Sequence, residues 1–157
     1  MHWRWAGSED EAIGALLHDV VEDRGGPAAL EEIRVKFGRD VARIVKANSD
    51  SDEEDKPPWS QRKQAYIDSI PQKQPDELRV SLADKLHNAR AILLDYRTHG
   101  DELWSRFKAG EGAAVRWYYR ELADTFEAQR GRLGTGAVPA IDELRRTVAE
   151  LDRLAGD

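Results

Sequence analysis

The chain has 157 residues, a net charge of −6 at pH 7 and no cysteine. Its length suits one domain with a real core, and its negative charge argues against a broad basic face for duplex nucleic acid. The lack of cysteine excludes disulfides, thiol catalysis and thiolate metal sites. No apolar run reaches the roughly 20 residues of a membrane span. With no secretory pattern at the N-terminus either, the sequence predicts a cytoplasmic protein.

Helical periodicity dominates the whole chain, and no convincing strand alternation is present. The sequence therefore predicts an all-α fold of six to eight helices. Glycine and proline set most of the boundaries. The predicted helices cover, in chain order, about 9–23, 27–37, a short stretch around 41–45, 60–70, 75–97, 102–108, 111–130 and a last segment from about 139. We expect two parts, a main domain over 1–130 and a Gly-rich joint with a C-terminal helix over 131–157.

The last predicted helix carries a narrow apolar seam. Its members recur at spacings of three and four, which is typical of helix-to-helix packing. Packing on the same domain and contact with a second copy, which would give a homodimer, are both open from the sequence. The seam consists of Ile141, Leu144, Val148, Leu151 and Ala155.

The first predicted helix is apolar almost all round, with one polar strip. At 100° per residue the strip holds His18, Asp19, Glu22 and Asp23. An ordinary solvated face is usually wider than this. Glu22 and Asp23 also fall in the last turn, where the helix dipole disfavours an anion by roughly 0.3–1 kcal/mol. A bound cation would reverse that preference, so the strip indicates a functional site.

A second polar group lies on the fifth predicted helix. Ser81, Asp84 and Asn88 share one side, roughly opposite Leu82 and Leu86. Alone, such residues are mostly surface residues. Combined with the His-Asp pair of the first helix they predict a metal site held between two helices, because His and carboxylate are the ligand types that this chain offers.

The two segments AIGALLHDVVED and SLADKLHNARAIL resemble the signatures of the HD-domain metal-dependent phosphohydrolases. The closer resemblance is to the hydrolase domain of the RelA/SpoT-type enzymes that act on guanosine tetraphosphate and pentaphosphate. The similarity covers about 9–126. It implies an HD-domain helical bundle and a hydrolase that removes the 3′-pyrophosphate of these nucleotides or of a related one, with GDP or GTP as leaving group.

The resemblance also implies a metal site and catalytic groups. In that family a metal ion, usually Mn²⁺, is held by histidines and aspartates, and His18, Asp19 and Asp84 match three of these ligands. Glu22 and Asp23 match the acidic pair that positions and deprotonates the attacking water.

For the nucleotide, the resemblance implies that Asn88 helps to hold it. Arg62 and its neighbour Lys63 lie in a matching helix and are candidates to meet phosphate. His87 matches a motif position that is not a ligand, so we expect a packed or surface histidine there.

One expected ligand has no match. The family's first histidine lies on an earlier helix, whereas only seventeen residues precede His18 and the spacing from His2 is too short. The leading explanation is a chain that lacks preceding helices. The others are a site with three protein ligands, and a degenerate HD domain that binds nucleotide or metal without catalysis.

Overall fold

The computed structural model describes residues 26–48 and 58–156. Within these two ranges the regular structure is helical and no strand occurs, which confirms the predicted all-α fold. The predicted first helix at 9–23 and the segment 49–57 lie outside the described residues. The α-helices in the described ranges are α1 (Gly26–Phe37), α2 (Arg39–Asn48), α3 (Trp59–Ser69), α4 (Pro75–His99), α5 (Gly112–Ala128), α6 (Arg130–Leu133) and α7 (Val138–Ala155).

Local signals place the helix ends close to the predicted positions. Gly38 separates α1 from α2 with a φ of +97°, a conformation that glycine adopts without a Cβ penalty, and its N–H donates to the carbonyl of Arg34 at 3.0 Å. Pro58 precedes α3 and Pro75 opens α4.

Two stretches differ from the prediction. The segment expected as a helix at about 102–108 forms a 3₁₀-helix over Gly100–Arg106, directly after α4. The Gly-rich joint is not a simple loop, because it contains the short α6 and a 3₁₀ turn over Thr135–Ala137. Gly134, with a φ of +89°, separates these two pieces and prevents one continuous helix.

The described residues form two compact units. The first consists of 26–48 and 73–81, and the second of 58–72 and 82–156, so α4 contributes to both. In the first unit α1 packs on α2, and Val80 of α4 joins Ile44 in a separate buried pair. The α1–α2 core consists of Ile33, Val41, Ala42 and Val45, with Leu30 packed against it.

In the second unit the C-terminal helix is part of the core. The seam residues Ile141, Leu144, Val148 and Leu151 of α7 are buried, and Ala155 is half-buried. The seam is therefore covered within the chain itself, and a second copy would have to use another surface.

Two ion pairs link α4 to α7 at the same interval. Arg90 Nε lies 2.7 Å from Glu143, and Arg97 Nη2 lies 3.6 Å from Glu150 Oε1. From the first pair to the second, the position rises by seven residues on both helices, so α4 and α7 run in the same direction.

A close approach joins Gly112, the first residue of α5, to the buried Trp104. A Cβ on Gly112 would lie 2.5 Å from Nε1 of that indole, which is closer than atoms can approach without displacement. The indole is itself packed against Tyr96 and Phe107, with ring centroids 5.5 and 6.0 Å away. Only glycine fits this position without displacing an aromatic group.

Helix α4 is buried on nearly every side between Glu77 and Leu86, where only Arg79 is partly exposed. Leu78, Leu82, Leu86 and Ala89 of this helix are buried, whereas Leu93 is partly exposed. Four polar residues are buried along with the apolar ones: Glu77, Ser81, Asp84 and Lys85. Among the described residues, no helix is long and apolar enough to cross a membrane.

Candidate active site

Asp84 is the described residue with the clearest functional position. Its exposed fraction is 9%, although a carboxylate is rarely buried unless it is paired or binds a metal. Ser81 on the same side of α4 is fully buried, and Asn88, one turn beyond Asp84, is half-buried. The predicted polar side of this helix thus points away from bulk solvent. A buried carboxylate with neighbouring polar groups is suited to a divalent metal ion.

A positive charge stands next to this carboxylate. Lys85 Nζ lies 3.6 Å from Asp84 Oδ2 and 4.5 Å from the centroid of the Tyr66 ring. Burial disfavours the ammonium form, but Tyr66, Tyr118, Tyr119 and Asp84 outweigh it, so the pKa of Lys85 lies well above its usual value. Lys85 is therefore charged at neutral pH and partly offsets the negative charge of Asp84.

The aromatic residues of α3 extend this environment. Trp59, Lys63 and Tyr66 recur at spacings of four and three, so they share one face of the helix. The Trp59 ring meets Tyr118 edge-on at a centroid distance of 6.0 Å, and Lys63 Nζ lies 5.1 Å from the Tyr118 ring. Sequence reasoning missed this cluster of aromatic rings and lysines. The spacing on α3 was the available signal, but it is equally typical of a simple core face.

The predicted nucleotide-binding residues lie in the same unit as Asp84. Arg62 is half-buried on α3, and its backbone N–H donates to the backbone carbonyl of Pro58 at 3.1 Å. Asn88 is half-buried on α4. His87 is exposed, which agrees with the expectation of a surface histidine at that motif position. The roles of Arg62 and Asn88 in binding remain predictions.

The first-helix residues His18, Asp19, Glu22 and Asp23 lie outside the described residues. Within 26–48 and 58–156, no group of three or more His, Asp or Glu side chains is arranged to hold a metal ion. Asp84 is thus the member of the predicted ligand set that the structure describes, and the complete set remains a prediction.

The start of α4 is fixed by an arginine from α2. Arg43 donates from Nη2 to Asp76 Oδ2 at 2.5 Å and from Nη1 to Asp76 Oδ1 at 3.0 Å. The same Nη1 donates to Glu77 Oε2 at 2.5 Å. This hydrogen bonding from Arg43 lowers the pKa of Asp76 against the opposing effect of burial, and it raises the pKa of Arg43. The clamp, as we call Arg43 with Asp76 and Glu77, anchors α4 about two turns before Asp84.

The sequence matches the model of the HD domain family over residues 1–113, and the chain belongs to that family. Phosphohydrolases of this family generally depend on a divalent metal.

Its relatives include guanosine-3′,5′-bis(diphosphate) 3′-pyrophosphohydrolases named MESH1. The human protein is 37% identical over 98 residues, which are 62% of this chain and 49% of that protein. The Xenopus tropicalis protein is 34% identical over 128 residues, which are 80% of this chain and 63% of that protein. The chain thus spans about half of the length of the human relative.

A similar solved structure is the crystal structure of lmo0812 from Listeria monocytogenes. The TM-score is 0.79 at 28% sequence identity, and the match covers 96% of this chain and 93% of that one. The likeness therefore extends over nearly the whole of both chains, well beyond the segment 1–113 that matches the HD domain model.

Proposed function

We propose that this chain is a metal-dependent hydrolase that removes the 3′-pyrophosphate of guanosine tetraphosphate or pentaphosphate. The observation that carries the proposal is the buried carboxylate of Asp84. It lies in the segment that resembles the second signature of the HD family, within the part of the chain that matches the family model. The MESH1 relatives, named for this reaction and 34–37% identical over the aligned parts, support the choice of substrate.

For the metal we propose Mn²⁺, held by His18, Asp19 and Asp84. When bound, such an ion polarises a phosphoryl oxygen and makes water a better nucleophile. Asp84 contributes a carboxylate that is shielded from bulk water, and Lys85 limits the charge that accumulates there.

The remaining steps are assigned to the protein's own groups. We propose that Glu22 accepts the proton of the attacking water and that Asp23 orients this water. The water attacks the phosphorus atom bonded to the 3′ oxygen and the P–O3′ bond breaks. The 3′ oxygen takes up a proton from solvent as GDP or GTP leaves, and pyrophosphate is released. Asn88 holds the nucleotide, and Arg62 meets its phosphates.

We further propose that the protein acts in the cytoplasm on a free nucleotide. A homodimer, if one forms, uses a surface other than the α7 seam, since that seam is covered inside the chain.

The deciding experiment measures Mn²⁺-dependent release of pyrophosphate from guanosine tetraphosphate by the full chain, with His18→Ala as control. Turnover that is abolished by His18→Ala and by a chelator supports the proposal. Binding of nucleotide or metal without turnover would support the alternative of a degenerate HD domain. Equal turnover in wild type and His18→Ala would remove the predicted metal site from the reaction.

A further inference from the structure

A groove lies between α1 and α2, and none of the described residues that line it is assigned to catalysis. It encloses about 610 Å³, within the range of roughly 300–1,000 Å³ that is usual for small-molecule sites. Leu30 of α1 and Ala42 of α2 supply an apolar floor. The described residues that line it all belong to the first unit.

Among the described residues that line this groove, four are cationic and two, Glu31 and Glu77, are acidic, although the chain as a whole has a net negative charge. Arg39, Arg43 and Lys46 recur on α2 at spacings of four and three, on the same face as Ala42. Arg43 is committed to the clamp with Asp76 and Glu77. Arg39 and Lys46 are exposed, and within the described ranges neither forms an ion pair or a side-chain hydrogen bond. These two cations are therefore available to an anion from outside.

The fourth cation, Arg34 of α1, pairs with a carboxylate of its own helix. Its Nε and Nη2 atoms donate to the two carboxylate oxygens of Glu31, at 3.0 and 2.6 Å. Both bonds lie along the edge of the guanidinium group, so they leave its faces for stacking on a flat ring. Because both partners are more than half exposed, the pair contributes little to stability.

We propose that this groove is a second nucleotide site, lined by residues other than those assigned to catalysis, which binds a nucleoside diphosphate without cutting it. The base lies on the Leu30 and Ala42 floor and stacks against Arg34, and the phosphates meet Arg39 and Lys46. An inorganic anion would leave the apolar floor unused, and an apolar ligand would leave the two unpaired cations unused. The combination fits a ligand with an aromatic ring at one end and phosphates at the other.

The test is an NMR titration of the ¹⁵N-labelled full chain with GDP in the absence of metal, because amide shifts locate the site. We expect shifts in the amides of 30–46 that weaken at high salt. The double variant Arg39→Gln/Lys46→Gln should bind roughly tenfold more weakly at these amides, which corresponds to about 1.4 kcal/mol. The control Lys36→Gln/Arg153→Gln removes the same charge from two exposed side chains outside the groove, and it should bind like wild type.

Several results would overturn the proposal. One is GDP-induced shifts at 84–88 with none at 30–46, which would place the nucleotide at the catalytic site alone. Equal affinity for inorganic pyrophosphate would show a plain anion site, and shifts with a hexaglutamate peptide but not with GDP would show a site for acidic peptides. Since the readout is the position of the shifts and not turnover, failure here is distinguishable from failure of the proposed hydrolase activity.

Discussion

Replacing Arg43 with methionine removes the cation of the clamp and keeps most of the apolar stem. The side chains of Arg43, Asp76 and Glu77 are 30%, 26% and 11% exposed. The clamp is thus neither a surface ion pair, which contributes about 0–1 kcal/mol, nor a fully buried one, whose loss costs about 3–5 kcal/mol.

The expected loss in the free energy of unfolding is about 2–3 kcal/mol. Hydrogen bonds to charged groups contribute about 1.5–3 kcal/mol each, and Arg43 bonds two carboxylates. In the variant the carboxylates of Asp76 and Glu77 still accept other hydrogen bonds, which reduce the cost of leaving them without Arg43. Glu77 still accepts the N–H of Gln74 at 2.9 Å, Asp76 accepts that of Glu77 at 2.7 Å, and both stand at the favourable end of the α4 dipole. The estimate therefore stays below the value for a fully buried pair.

Urea denaturation of wild type and variant measures this difference, and the melting temperature should fall by about 4–10 °C. Arg90→Met is a matched control, since it removes an exposed arginine that pairs with Glu143 and should cost less than about 1 kcal/mol. A double-mutant cycle with Asp76→Asn isolates the pair. A loss of under 0.5 kcal/mol for Arg43→Met, or strict additivity in the cycle, would refute the reasoning.

The stability difference between wild type and Arg43→Met should depend on pH. The pKa of Asp76 is lower in the folded chain than in the unfolded chain, where it is about 3.9. The stabilisation is therefore complete above that value and is lost as the pH falls through the lower, folded-state pKa. Wild type and Arg43→Met should thus begin to converge in stability below about pH 4, and they should be equal only below the folded-state pKa of Asp76. A difference that persists unchanged in strong acid would show that Arg43 stabilises the fold by packing alone.

Three further predictions concern the metal, the base and the packing. Asp84→Ala should lose bound Mn²⁺, measured by calorimetry, and unchanged affinity would rule out a ligand role. Glu22→Gln should keep the metal and lose about 10²–10⁴-fold in turnover, as expected for a missing general base, whereas wild-type rates would exclude that role. Gly112→Ala should destabilise the fold by about 1–3 kcal/mol because its Cβ would overlap Trp104. The control Gly131→Ala should leave the stability unchanged, because its Cβ would meet no atom within 4 Å. Equal unfolding midpoints for the two variants would contradict the prediction.

Local signals explain why most of the helices could be predicted from the sequence. Gly38, Pro58 and Pro75 act on their immediate neighbours, so their effect can be read without knowing the fold. The 3₁₀ geometry of Gly100–Arg106 could not be read in this way. It differs from an α-helix by one residue in hydrogen-bond spacing, and the composition of so short a segment does not separate the two.

The candidate site was partly predictable for the same reason. The HD-type motifs are local, so Asp84 and Asn88 could be predicted as site residues from the resemblance of their segment, and their roles stay a prediction. The burial of Lys85 could not, because a lysine on a helix is normally exposed and its stabilising rings come from α3 and α5. The clamp could not be predicted from the sequence either, because Arg43 and Asp76 are 33 positions apart and only folding brings them together.

The contact between Gly112 and Trp104 offers a rule for reading homologous sequences. A homologue with any larger residue at the position of Gly112 has to carry a smaller side chain at the position of Trp104, or open the space between Tyr96 and Phe107. The two positions should therefore covary across the family as glycine with tryptophan, or as a larger residue with a smaller ring. An alignment column for each position would reveal this pairing without any new structure.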